Sequence, residues 1–180
     1  MSKTQPTTDA TTDTTTDTAA IEQFPSAPFF RRLASWVYDL LTGVAIAMLA
    51  TVVGMIVTEM LVAYEFIDTS KYEDTAAFFQ DTWIFPFYLI TCLTCFFCYF
   101  WVKGGQTIGM RAWRLRVVNT QGEGISIIQA VIRFYASLAG LGNVWVLLDW
   151  KNKQSIQDYL AKTRTITLTK EANKEIYRQS

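Results

Sequence analysis

Polar and apolar positions divide this chain into a polar head, two long apolar stretches and a mixed second half. Residues 1 to 24 are polar and repetitive (TTDATTDTTTDTAA), lack an apolar core, and are expected to be a disordered tail. From Trp83 to Val102 the sequence WIFPFYLITCLTCFFCYFWV runs 20 residues without a charge. As a helix rising about 1.5 Å per residue it reaches about 30 Å, the thickness of a bilayer's hydrocarbon core. A second charge-free run, Leu40 to Thr58, covers 19 residues and meets the same criterion. Both read as transmembrane helices, the first over about residues 34–60 and the second over about 83–102. A cleaved signal peptide is not expected, because the first apolar run begins near residue 33 and is too long for one.

After Lys103 the period changes. Trp113 to Val118 (WRLRVV) alternates apolar and basic residues, and NTQGEG follows as turn chemistry, so a strand leading into a turn is expected. A second strand is expected at Thr163 to Thr169, pairing with the first. Ile125 to Leu148 carries one charge, Arg133, and is long enough to span a bilayer. In it Ser126, Gln129, Arg133 and Ser137 form a narrow polar stripe at helical spacing, and Gly140, Gly142 and Asn143 then interrupt the helix. The preferred reading over 125–149 is a membrane-associated helix that breaks near Gly140 and returns through Val144 to Leu148; a third crossing is the alternative. The fold class expected is therefore mainly α. Residues 25–170 form the membrane unit, with two antiparallel transmembrane helices, a third membrane-associated segment and a small cytoplasmic β element, and 171–180 form a C-terminal tail.

Charge orients this arrangement. Arg31 and Arg32 precede the first apolar run; residues 61–82 hold Lys71 against Glu65, Asp68, Glu73, Asp74 and Asp81; twelve basic residues face five acidic ones from Lys103 onward. Basic segments stay inside, so the acidic loop is expected outside and both termini in the cytoplasm of an inner or plasma membrane. The cluster Lys103, Arg111, Arg114 and Arg116 beside the membrane exit suits anionic lipid head groups better than nucleic acid.

Composition narrows the chemistry. The chain has no histidine, which removes the commonest metal ligand and a ready proton carrier. Cys92, Cys95 and Cys98 fan over one side of the second span without a fourth ligand, and ionising three thiols in hydrocarbon is costly; they read as packing or lipid-facing residues. GGQTIGM lacks the lysine and spacing of a phosphate-binding loop. No nucleophile has a matching base, so no enzyme and no cofactor are expected.

Four ionisable residues at or near membrane depth need partners: Arg32, Asp39, Glu59 and Arg133. Arg32 and Asp39, seven residues apart, share a helix face but lie about 10 Å apart along it, beyond local pairing. Arg133 in its polar stripe is the candidate partner for Asp39. Glu59 falls at the outer interface, where it is expected to be solvated. The bland reading of Asp39 is an ion pair that sets helix packing. The sharp one is a coupling carboxylate in a transport pathway whose missing walls a homo-oligomer could supply.

These residues resemble the RDD family of membrane proteins, named for one arginine and two aspartates. FFRRLASWVYDLL is similar to the family's opening block, with Arg32, Ala34 and Asp39 in its positions. GGQTIGMRAWRLRVVNTQGEGISIIQAVIRF is similar to its second block, a Thr-x-Gly turn, a strand, a glycine turn and a helix with an arginine; Thr107, Gly109, Met110, Gly122 and Arg133 match. DWKNKQSIQDYLAKTRTITL is similar to the closing block, with Asp158 and Thr163 matching. Gln157 stands where that block commonly has histidine and Tyr159 where it has arginine, which removes any relay through the histidine and a cation beside Asp158. The resemblance implies a multi-pass membrane protein with a cytoplasmic-side cluster of Arg32, Asp39, Arg133 and Asp158. It implies no reaction, since most members have no assigned activity and ion or solute transport is suggested for some. The leading expectation is a structural or accessory role; the alternative is a small cation- or proton-coupled transporter using Asp39.

Overall fold

The computed structural model describes residues 24–138 and 155–179. Helix α1 spans Phe29–Ala63, a 35-residue apolar rod that begins earlier than the expected span because Phe29 to Leu33 continue its pattern. The short helix α2, Thr75–Asp81, is capped by Asp74, whose carboxylate accepts from the Ala77 N–H at 2.7 Å. Helix α3 spans Ile84–Gly104 and stops where Gly105 takes a left-handed conformation, φ 66°. A Cβ at Gly105 would lie 2.7 Å from the Val117 carbonyl, so only glycine lets the chain at Val117 approach this helix end.

The two long helices run antiparallel. Gly43 of α1 faces Phe97 of α3, whereas Gly54 faces Tyr88, so the partner's numbering falls as α1 advances. The Tyr88 hydroxyl also donates to the Ala50 carbonyl at 3.0 Å. Among the described residues only 11% and 17% of their apolar windows are buried, unlike the mostly buried core helices of a water-soluble fold. Leu41, Met48 and Leu49 of α1 stand exposed, and Trp83 and Tyr99 are exposed near the two ends of α3, in keeping with lipid-facing flanks and aromatic interfaces.

The remaining elements gather at the Gly104 end of α3. Helix α4 spans Ile108–Ala112, strand β1 Leu115–Asn119, helix α5 Ile127–Leu138, helix α6 Ile156–Leu160, strand β2 Thr163–Thr167 and helix α7 Lys170–Gln179. The strands pair antiparallel with Val117 opposite Thr165, and their ends lie within two residues of the expected bounds. Residues 25–27 extend this ribbon: the Ala27 N–H donates to the Thr165 carbonyl and the Thr167 N–H to the Pro25 carbonyl, both at 3.0 Å. One core joins Trp101, Met110, Leu115, Val117, Ala130 and Phe134; a second joins Val118, Ile166 and Leu168 to Ala172 and Ile176 of α7. The segment expected as a C-terminal tail is thus largely helical and packed. The expected break at Gly140 and return through Val144 to Leu148 lie outside the described residues, as does the polar head up to residue 23.

Candidate functional site

Asp158 is the centre of a buried charge cluster that ties the start of the membrane unit to its end. It sits on α6, one turn after Ser155, and the two form a reciprocal cap in which the Asp158 N–H donates to Ser155 Oγ and the Ser155 N–H donates to Asp158 Oδ2. This S-x-x-D step turns the carboxylate back into the protein. Arg32 of α1 donates to Oδ2 through Nη1 at 2.5 Å, and Arg133 of α5 donates to Oδ1 through Nη1 at 2.5 Å. The Thr165 hydroxyl of β2 adds a fourth donor at 2.9 Å. All three charged residues are at most 4% exposed.

Around this core the guanidinium groups find neutral acceptors. Arg32 donates to the Ala27 carbonyl through Nε at 3.0 Å and to Ser155 Oγ at 3.2 Å. Arg133 donates to Thr163 Oγ1 at 2.6 Å, and its guanidinium lies 5.6 Å from the Trp101 ring centroid. Burial opposes the charge of Asp158, but the Arg32 and Arg133 guanidiniums outweigh it and hold the carboxyl well below the usual aspartate range. The group therefore stays ionised as a fixed anion between two cations, a poor proton carrier and a strong tether.

Asp39 forms a separate site. Its Oδ2 accepts from the Thr107 hydroxyl at 2.6 Å and its Oδ1 from the Gly109 N–H at 2.8 Å. Thr107 is also the N-cap of α4, accepting from the Met110 N–H at 3.2 Å, so the carboxylate holds the first turn of α4 against α1. Gly109 is needed for the contact: a Cβ there would collide with the Ser35 carbonyl and lie 2.8 Å from Asp39 Cγ.

The expected pairing of Asp39 with Arg133 is therefore not what the fold makes. Arg133 goes to Asp158 because α5 packs beside α6, and the turn Gln106–Gly109 brings a hydroxyl and an N–H to Asp39 instead. The cation expected to be missing beside Asp158 is supplied by Arg32 and Arg133 from distant elements. Of the expected four-residue cluster, three members meet, and Asp39 joins Thr107 and Gly109 instead. Glu59, expected to be solvated, accepts a hydrogen bond from the Thr75 hydroxyl of α2. Cys92, Cys95 and Cys98 fall in three environments, half-buried, exposed and buried.

Ser155, Thr165 and Trp101 belong to the cluster but did not stand out in the sequence. Ser155 carried a readable signal, the capping step before Asp158. Thr165 carried a weaker one, the alternation of threonines along TRTIT. Nothing local marks Trp101 as the ring beneath an arginine 32 residues away. The family model described as RDD family matches residues 26–162. No curated protein and no solved structure matches the chain.

Proposed function

The chain belongs to the RDD family of membrane proteins, and on that premise we propose that it is a multi-pass protein with a structural or accessory role, built around Asp158 as an ionic tether. The observation that carries this reading is the Arg32–Asp158–Arg133 cluster, whose members are 126 and 25 residues apart in sequence. A carboxylate saturated by four donors cannot bind and release an ion without breaking the packing of α1, α5, α6 and β2. Asp39 acts in the same sense on α4. We place the acidic loop between α1 and α3 outside the cell and both termini in the cytoplasm, with Lys103, Arg111, Arg114 and Arg116 toward anionic head groups. A homo-oligomer belongs to this proposal, and no reaction is assigned.

The second reading is a small cation- or proton-coupled transporter. It is favoured by the position of Asp39 on the wall of a cavity between the helices, where a carboxylate could meet a passing cation. The two readings separate on Asp39→Asn, which keeps an acceptor for Thr107 or Gly109 but removes the charge. Membrane level, thermal stability and ion flux in vesicles are measured on wild type and variant together. Loss of stability without any wild-type flux under sodium, potassium and proton gradients supports the tether. Flux that disappears in a variant of unchanged stability overturns it.

A further inference from the structure

Between α1, α3 and α5 lies a cavity of about 320 Å³, large enough for a small ligand. Along α1 its lining passes from Ser35 and Asp39 to Leu40, Val44 and Ala47, and α3 adds Leu93 and Phe97 opposite. Leu40 and Val44 are each about half exposed on the apolar surface of α1, so the cavity adjoins the face that meets lipid. Two N–H groups of its lining residues have no acceptor among the described residues, Arg133 Nε and Trp101 Nε1. Both residues line the cavity and both are more than nine-tenths buried. A buried donor left without a partner is costly, so an acceptor arriving there is rewarded. Neither donor takes part in the ion pairs, which Arg133 makes through Nη1.

Arg32, Arg133 and Asp39 line the cavity and Asp158 pairs with both arginines, so the four charges sum to zero. A charged guest would leave an uncompensated charge in a low-dielectric site, whereas a neutral acceptor adds none. We propose that this cavity binds a lipid-soluble molecule with an uncharged carbonyl head, an ester or ketone, whose oxygen accepts from Trp101 Nε1–H and Arg133 Nε–H. Its hydrocarbon chain lies along Leu40, Val44 and Leu93 and leaves toward the bilayer. The site is independent of the tether reading, because it uses donors the tether leaves over.

The test uses the full-length protein in dodecyl maltoside micelles, a detergent without carbonyl groups. The probe is a long-chain fatty-acid methyl ester with a photoreactive diazirine in its chain. Labelling is expected on peptides of α1 and α3, displaced by the unlabelled ester and poorly by the matching free carboxylate or alkane. Trp101→Phe keeps the ring and removes one donor, and is expected to weaken ester competition about fivefold while leaving the alkane unchanged. Ala47→Phe adds a ring at a residue of the cavity wall and is expected to cut labelling about tenfold or more with the unfolding temperature retained; should it fail to fold, Ala47→Leu serves the same purpose. Equal competition by alkane or carboxylate overturns the assignment. So does labelling indifferent to a folded cavity-filling variant, or an absence of labelling. Failure here leaves the Asp158 tether standing, since its own readout is stability rather than labelling.

Discussion

At the scale of single residues, the cluster's charge count decides what each substitution does. Two buried cations share one buried anion, so removing the anion is worse than removing a cation. Asp158→Asn leaves Arg32 and Arg133 facing each other without compensation and is expected to cost about 3–5 kcal/mol, read as loss of folded protein by thermal unfolding in detergent. Arg133→Met leaves the neutral Arg32–Asp158 pair and is expected to cost clearly less in the same assay. The depressed acidity of Asp158 sets a pH window. Because its folded-state value lies below the ordinary 3.8, the unfolded chain takes up the proton first as pH falls. Its stabilisation is complete above that value and is lost progressively below it. Unfolding temperatures measured from neutral pH downward should therefore drop below about pH 4 in wild type, with a smaller drop in Asp158→Asn. At Gly109 the argument is steric. Gly109→Ala puts a methyl between the Ser35 carbonyl and the Asp39 carboxylate, and is expected to destabilise by about 1–3 kcal/mol in chemical or thermal unfolding.

At the scale of elements, the structure corrects expectation most at the C-terminus. Lys170–Gln179 is largely polar, and its few apolar residues give little sign of a packed helix. Yet Ala172 and Ile176, one turn apart, reach the cluster of Val118, Ile166 and Leu168, and Asn173 accepts a hydrogen bond from the Gln106 side chain at 2.8 Å. Helix α7 is therefore a lid on the outer side of the β ribbon. Deleting residues 170–180 is expected to uncover Ile166 and Leu168, and limited proteolysis should then cut the ribbon faster than in the full chain. A truncated protein as resistant as the full one would show that α7 contributes no protection. The two strands themselves were legible from alternation and turn residues. Their pairing partner at residues 25–27 was not, because three residues, Pro-Ser-Ala, carry no period of their own.

At the scale of the whole molecule, two long apolar helices hold a compact polar assembly at one end, and orientation follows from which side that assembly occupies. Single cysteines introduced at Asp68 and at Arg178, in a background with Cys92, Cys95 and Cys98 replaced by alanine, are expected to react oppositely with a membrane-impermeant thiol reagent on intact cells, the first labelled and the second protected. The long spans, their antiparallel order and the ribbon were all determined by the sequence itself. Uncharged length against bilayer thickness, and a period of two bounded by turn residues, are local quantities that need no knowledge of the neighbours. The residues that need buried partners were legible for the same reason, since a charge in or beside an apolar run is costly wherever the chain goes. Which partner each one takes belonged to the tertiary structure alone. Nothing in the spacing of Arg133 names its partner; the packing of α5 beside α6 brings it to Asp158, while Thr107 and Gly109 occupy Asp39.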